Sequence, residues 1–292
     1  MLPVSSNLHT VSMQNMDVAI RLINDSSQGT SLAVPLDISS FLSLSYLWNF
    51  SYKHSLISYV EDQPAAVGIN CTDRATGDAY NFYWGALPAF RSQRIALALA
   101  ESSSRMLHDD GYHTFWGDSV PERPVRRWRF VRFYPQHSLV DMQAASLNLN
   151  APDSGLEIRE INAEVLAKVP LLPGESFHWC QRPAFLRNAA SFFQFFGAFA
   201  GNTLKAYAVV LAQSPNTMLW DLRSPDASSA AGSALLRWLL ATNYRPPLSA
   251  ARVFEHSYAH RLLTTAGLVV TRRFFALSRD LRTTCSAGTA PA

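Results

Sequence analysis

Apolar and polar positions along this chain change period in a set order, and the order occurs twice. In the first half Leu8–Met13 reads as a short strand, and Met16, Ala19, Ile20 and Ile23 then mark one face of a helix opened by Asn15. Ser55–Glu61 and Ala65–Cys71 are strands joined by Asp62-Gln63-Pro64, and a third strand, Ala79–Leu87, comes after a polar loop. A helix over Ile95–His108, a short strand His113–Trp116, a helix over Pro124–Phe133 and a last strand from His137 complete the half. In that later helix Val125, Trp128 and Arg132 share one side and Arg126, Arg129 and Phe133 another, which favours packing on a sheet with a solvated basic face over a surface for nucleic acid or the acidic face of a carrier protein.

The second half repeats this. Leu156–Ile161 alternates, Asn162 caps, and Ala163, Leu166, Ala167 and Val169 supply a helix face; the two cap asparagines stand 147 residues apart. Ser191–Phe199, Leu204–Ala212 and Thr217–Leu222 are the next strands, then a helix over Gly232–Ala241, a strand over Ser249–Phe254, a helix over Ser257–Ala266 and a strand from Leu268. Phe192, Phe193, Phe195, Phe196 and Phe199 predict a strand buried between the two copies. The shared order, β-α-(α)-β-β-β-α-β-α-β, predicts an α/β chain of two tandem domains. The turn formers of Asn148–Ser154 put their boundary near 150, giving domains 1–149 and 150–292.

Composition narrows the function classes. With 292 residues and 48% hydrophobic content the chain can bury two cores. A net charge of +3 and a pI near 8.8 are too mild to indicate a nucleic-acid partner. Cys71, Cys180 and Cys285 lie far apart, which indicates neither a disulfide framework nor a metal site and fits a reducing cytoplasm. The first residues, MLPVSSNLHTVSM, lack a basic segment followed by an apolar one, and no run reaches the roughly 18 apolar residues of a membrane span. The expectation is a cytoplasmic protein, with no oligomeric state indicated.

The chemistry concentrates at Trp84-Gly85-Ala86-Leu87-Pro88-Ala89-Phe90-Arg91-Ser92-Gln93-Arg94-Ile95-Ala96, where a strand runs into a helix start. Such a junction offers unpaired N–H groups and the positive end of a helix dipole to an anion. The segment resembles the acyl-CoA-binding motif of the GNAT acyltransferase superfamily, Val-x-Pro-x-x-Arg/Gln-x-x-Gly-x-Gly/Ala. Pro88, Arg91, Ile95 and Ala96 fall in register, while Ala86 replaces Val and Arg94 replaces the first Gly. The element order is also that of the superfamily, and Ala259, Leu262 and Gly267 match its closing pattern. The resemblance thus implies two tandem GNAT-like domains, each a central mixed, mostly antiparallel sheet flanked by helices.

It further implies an acyltransferase of N-acyltransferase type, moving an acyl group, acetyl foremost, from acyl-CoA to a small-molecule amine by direct attack on the thioester. Ala86, Leu87, Arg91, Ser92, Gln93, Arg94, Ile95 and Ala96 are the implied cofactor-binding residues, with an N–H of Ala86 or Leu87 facing the thioester oxygen. Candidates for accepting the amine proton, directly or through water, are Asp118, Tyr83 and Asn81; Asp118 reads equally as a helix cap before Pro121. The family's tyrosine acid is replaced by Leu263 in the second copy and Arg129 in the first. No Ser or Cys stands beside a His in a nucleophilic pattern. The second copy has Ser229-Ala230-Ala231-Gly232-Ser233-Ala234 after an acidic loop and reads as a degenerate site or a wall of the acceptor pocket. Two alternatives stay open: an acyl-phosphopantetheine donor on an acyl carrier protein, and a catalytically decayed binding protein.

Overall fold

The computed structural model describes residues 7–28, 35–119, 128–129, 131–144, 155–173, 175–212, 214, 216–243 and 246–283, the side chains of Ser92 and Gln93 excepted. β1 (Asn7–Thr10) leads into α1 (Met16–Ser27), which buries the stripe Met16, Ala19, Ile20, Leu22 and Ile23. Asn15 occupies the cap position, but its Oδ1 accepts from the Ser12 N–H at 2.7 Å and so closes the preceding turn rather than the helix. α2 (Ile38–Trp48) is capped by Asp37, whose carboxylate accepts from the Ser40 N–H. β2 (Leu56–Val60), β3 (Gln63–Asp73) and β4 (Asp78–Ala86) form an antiparallel meander; a 3-10 turn, Pro88–Gln93, then leads to α3 (Ile95–Asp109) and to β5 (Thr114–Ser119). β6 (Tyr134–Ala144) closes this half.

The helix expected over Pro124–Phe133 lies largely outside the described residues; Trp128 and Arg129 are helical, and Arg132 at φ 59° ends the turn. Trp128 stacks on Trp84 at 5.3 Å between ring centroids and donates through Nε1 to Ser119 Oγ. Its indole therefore faces the sheet.

The second half runs β7 (Glu157–Glu160), α4 (Ala163–Leu166), α5 (Pro183–Asn188), β8 (Phe193–Ala200), β9 (Thr203–Leu211), β10 (Met218–Arg223), α6 (Ser229–Asn243), β11 (Leu248–Phe254), α7 (Tyr258–Thr265) and β12 (Val269–Asp280). Asn162 here does cap, accepting from the Val165 N–H. β8 lies between β7 and β9 within this half, not between the copies, and successive Phe195 and Phe196 are both buried because both of its faces are covered. Phe192 precedes the strand in a 3-10 turn and is not buried.

Packing divides the chain into Met1–Gln136 with Leu277–Ala292, and His137–Ala276. Within the first unit the strand order is β1-β2-β3-β4-β5 followed by the end of β12; within the second it is β7-β8-β9-β10-β11-β6. The order is therefore the same in both units, with the closing strand of each supplied by the other half of the sequence. The expected division at 149/150 falls in 145–154, outside the described residues, and differs from these limits because β6 packs in the second unit. Its Val140 and Met142 are buried there against Leu235, Leu248 and Ala250. The C-terminal segment is held just as firmly in the first unit: Arg279 donates to both carboxylate oxygens of Glu101 at 3.0 and 3.1 Å and to the Val131 carbonyl at 2.9 Å. No helix among the described residues is long and apolar enough to cross a membrane.

Replacing Arg279 by Met removes this buried fork and leaves the Val131 carbonyl without its donor. The expected loss is about 2 kcal/mol of stability, and hydrogen exchange should show it as lost protection in β5 with β8–β10 unchanged. Equal loss in both units would contradict the assignment.

Candidate active site

β4 pairs with β3 along its length but with β5 only from Asp78–Thr114 to Asn81–Gly117. At Phe82 the β3 register slips by one residue, so Asn81 opposes Asn70 while Tyr83 opposes Ile69. This is a β-bulge, which bends a strand and re-aims the residues beyond it. Past the bulge, β4 has no strand partner on the β5 side among the described residues. The Leu87 N–H is committed to the Ala65 carbonyl at 2.9 Å. Alternation along the strand then directs the Ala86 N–H to the opened side, where the Ala86 carbonyl accepts from Arg91 Nε at 3.3 Å. Of the two expected thioester donors, Ala86 is the available one.

The end of α1 clamps this segment. The Tyr83 hydroxyl hydrogen-bonds Ser26 Oγ at 2.8 Å, and Arg91 donates through its terminal nitrogen to the Ser26 carbonyl at 3.1 Å. Carbonyls of a last helical turn carry the negative end of the dipole, so a guanidinium settles there readily. Gly85 lies beneath, where a Cβ would come within 2.6 Å of the Tyr83 hydroxyl. Tyr83 and Arg91, expected as a base and an anion ligand, both serve here as fasteners of β4 to α1. Asn81 is likewise structural: it is 8% exposed and its Nδ2 faces the Ile69 carbonyl, the Tyr83 carbonyl and Asn70 Oδ1 at 3.1 to 3.2 Å. Asn70 in turn donates to Ser103 Oγ on α3. The bulge is thus pinned from inside the sheet.

After the 3-10 turn carrying Ser92 and Gln93, Arg94 adopts the left-handed conformation, φ 58° and ψ 18°, and its carbonyl accepts from the N–H groups of Leu97 and Ala98. The position where the motif has glycine is one that glycine fits without strain; a side chain there costs about 1 kcal/mol. No side chain caps α3. The N–H groups of Ile95 and Ala96 therefore remain at the helix start, with the Ile95 side chain buried and that of Arg94 exposed. Asp118 stands on β5 one residue past the last β4 pair, half-buried where the strands part.

The second unit repeats the device with a different filling. β10 pairs with β11 only at Met218–Ser249 and Leu219–Ala250, and its β9 register slips at Trp220. Here the helix start is closed. Ser224 Oγ and Asp226 Oδ1 accept from the Ser228 N–H, Ser228 Oγ accepts from the Ala231 N–H, and the Tyr258 hydroxyl donates to the Ser228 carbonyl at 2.7 Å. That hydroxyl lies so close to Gly232 that a Cβ there has no room. Hydrogen bonds from Lys205 and Ser224 hold the Asp226 carboxyl below its usual range, so the loop keeps its negative charge.

Folding also creates two contacts that sequence spacing did not reveal. His178 Nδ1 lies 3.0 Å from Cys180 Sγ, both buried. Ser51 Oγ lies 2.6 Å from His54 Nδ1, whose Nε2 meets Asp110 Oδ2 at 2.7 Å with Lys53 on the same oxygen. The second set joins the C-terminal end of α3, a helix of 15 residues. It is thus about 22 Å along the axis from Arg94, and it fastens the turn before β2 rather than serving the opened strand. His256 and His113 lie outside this opening, at the start of α7 and ahead of β5.

No family model matches the sequence, and no curated protein sequence matches it. Solved structures do. A tandem GNAT protein from the clavulanic acid biosynthesis pathway superposes with a TM-score of 0.66 at 12% identity, covering 99% of this chain and 100% of that one. A GCN5-related N-acetyltransferase from Sphaerobacter thermophilus gives 0.64 at 12% identity over 96% and 97%, and a putative acetyltransferase from Pyrococcus horikoshii 0.64 at 12% over 94% and 89%. The likeness is one of fold: this chain has the tandem GNAT architecture.

The buried histidine gives a pH test of the first unit. Burial, outweighing the attraction of Asp110, holds His54 below its ordinary 6.5. The unfolded chain therefore binds this proton more readily than the folded one, and stability falls as pH drops through 6.5. The expected outcome is a melting temperature that declines below neutrality in the wild type and declines less in His54→Gln.

Proposed function

We propose that this chain is an N-acyltransferase carrying an acyl group, acetyl in the simplest case, from a coenzyme A thioester to the amine of a small molecule, with the donor held by the first unit. The observation that carries the reading is the conjunction of an opened β4, with the Ala86 N–H directed into the gap, and an uncapped α3 start at Arg94–Ala96 a few residues on. The first matches a thioester in an extended arm and the second a pyrophosphate. The second unit has the same opening but a helix start closed by Ser224, Asp226, Ser228 and Tyr258, which disfavours phosphate there.

The residues present fit the cofactor: free N–H groups at a dipole's positive end, and an exposed guanidinium on Arg94. Bound coenzyme A supplies an activated acyl carbonyl. The chain's own residues supply the rest. Ala86 N–H offers a hydrogen bond to a carbonyl oxygen, and α1 with Tyr83, Ser26 and Arg91 keeps that donor in place. Asp118, beside the opening, takes the proton of the acceptor ammonium. A departing thiol of pKa near 8.5 needs little help from an acid, which agrees with the lack of a tyrosine at Leu263 and Arg129.

One observation favours a second donor. Both arginines of this loop are exposed, and Arg91 is turned to two carbonyls, which leaves Arg94 as the one to meet an anion. Such a loop also suits the single phosphate of a phosphopantetheine arm on a carrier protein.

Calorimetry tests both. Arg94→Glu should weaken acetyl-CoA binding by about 1 to 3 kcal/mol. Acetyl-phosphopantetheine binding as tightly as acetyl-CoA would select the carrier-protein donor, and binding of neither would overturn the reading. Asp118→Asn should lower kcat at least about tenfold with the thioester affinity kept, read from initial rates against a panel of small amines.

A further inference from the structure

The indole of Trp128 spans β4 and β5 at the level where they part. The last pair between these strands is Asn81–Gly117. Two residues past it on β5, Ser119 accepts from Trp128 Nε1 at 2.8 Å; three residues past it on β4, Trp84 stacks on the same indole with 5.3 Å between ring centroids and 25° between planes. The bulge brings these groups to one face. Asn81 opposes Asn70, which donates to Ser103 of α3, and Trp84 opposes Gly68 two residues along, so both side chains stand on the α3 side of the sheet.

Two further rings thicken this wall. Phe115 and Phe133, both buried, meet Trp84 edge-on at 5.5 and 5.6 Å, and Phe133 also meets Trp128 at 6.0 Å. Gly68 fixes where the Trp84 ring lies, since a Cβ there would stand 2.7 Å from it. Four aromatic rings thus close the opened strand on its α3 side.

We propose that this aromatic wall ends the acyl site and makes the chain selective for short acyl groups, acetyl above all, over medium and long ones, with Trp128 setting the limit. The inference rests on the acyl-transfer reading and deepens it. In that reading the phosphates meet the α3 start, beyond Ala86. The arm therefore arrives from the C-terminal end of β4, and its acyl end is directed back toward Asn81 and Gly117, where the strands join. Trp84 stands two residues before Ala86, about 7 Å along a strand.

The opposite face offers a long tail no apolar alternative. Asp118 lies between Gly117 and Ser119 and so points to the other side, that of Tyr83, whose hydroxyl is tied to Ser26 of α1. A carboxylate and a hydroxyl pair line that side, and an acceptor amine must use it to reach Asp118. An apolar channel would withdraw each added methylene from water and raise affinity about fourfold. A closed aromatic end beside a polar face does the reverse.

The test is calorimetric titration of the full chain, without any amine, with coenzyme A, acetyl-CoA and octanoyl-CoA. The wild type should bind octanoyl-CoA at least about tenfold more weakly than acetyl-CoA. Trp128→Ala should raise the octanoyl-CoA affinity at least about tenfold with that for acetyl-CoA unchanged; Trp128→Leu, which keeps an apolar filling, should raise it by less. Octanoyl-CoA binding the wild type as tightly as acetyl-CoA, or an unchanged ratio in both folded variants, overturns this proposal and leaves the acyl-transfer reading standing. Binding of neither thioester nor coenzyme A overturns both.

Discussion

The first unit's site depends on β4 parting from β5 after Asn81. A strand held on both sides has every N–H and C=O engaged and nothing to offer a ligand. One bulge at Phe82 ends the parallel pairing with β5 while keeping β3, and five residues of backbone then run with one side open. A bulge would slip if nothing fixed it. The Asn81 amide, bound to two carbonyls and to Asn70, fixes it from within, and Asn70 carries the connection to Ser103 on α3. At the far end Tyr83, Ser26 and Arg91 tie β4 to the last turn of α1. The donor at Ala86 is therefore presented by packed elements, which is what precise positioning requires.

The two units show how one device takes opposite fillings. In the first, Gly85 lets α1 close over the strand, and the next helix begins uncapped behind a strained Arg94. Backbone strain persists only where its surroundings maintain it and gathers at working sites. In the second, Arg223 and Asp221 fill the space with a buried ion pair, and the helix start satisfies itself with serines, an aspartate and Tyr258. One unit leaves its helix start without a side-chain cap; the other closes it with an internal polar network.

Much of the fold was legible in the sequence, because each strand and helix carries its own period. The hairpins, the long helix at Ile95 and the repeat marked by Asn15 and Asn162 all come from local patterning. The exchange of closing strands was not legible, since β6 and β12 alternate alike and either could complete either unit; burial of Val140 in one and of Arg279 in the other decides it. The strand-to-helix junction from β4 to α3 was legible in the sequence, but the engagement of its polar side chains was not. Asn81, Tyr83 and Arg91 have the right chemistry for catalysis or anion binding, and only three-dimensional contacts reveal that their polar atoms are engaged by α1 and by the sheet. The Ser51–His54–Asp110 and His178–Cys180 contacts likewise depend on which segments meet.

The central claim is that the donor is held by the first unit at the opened strand and the helix start beyond it. Hydrogen–deuterium exchange of the intact chain with saturating acetyl-CoA tests this most directly. The account predicts new protection over Ala86–Leu97 and none over Ser224–Leu235. Protection confined to Ser224–Leu235 would contradict it.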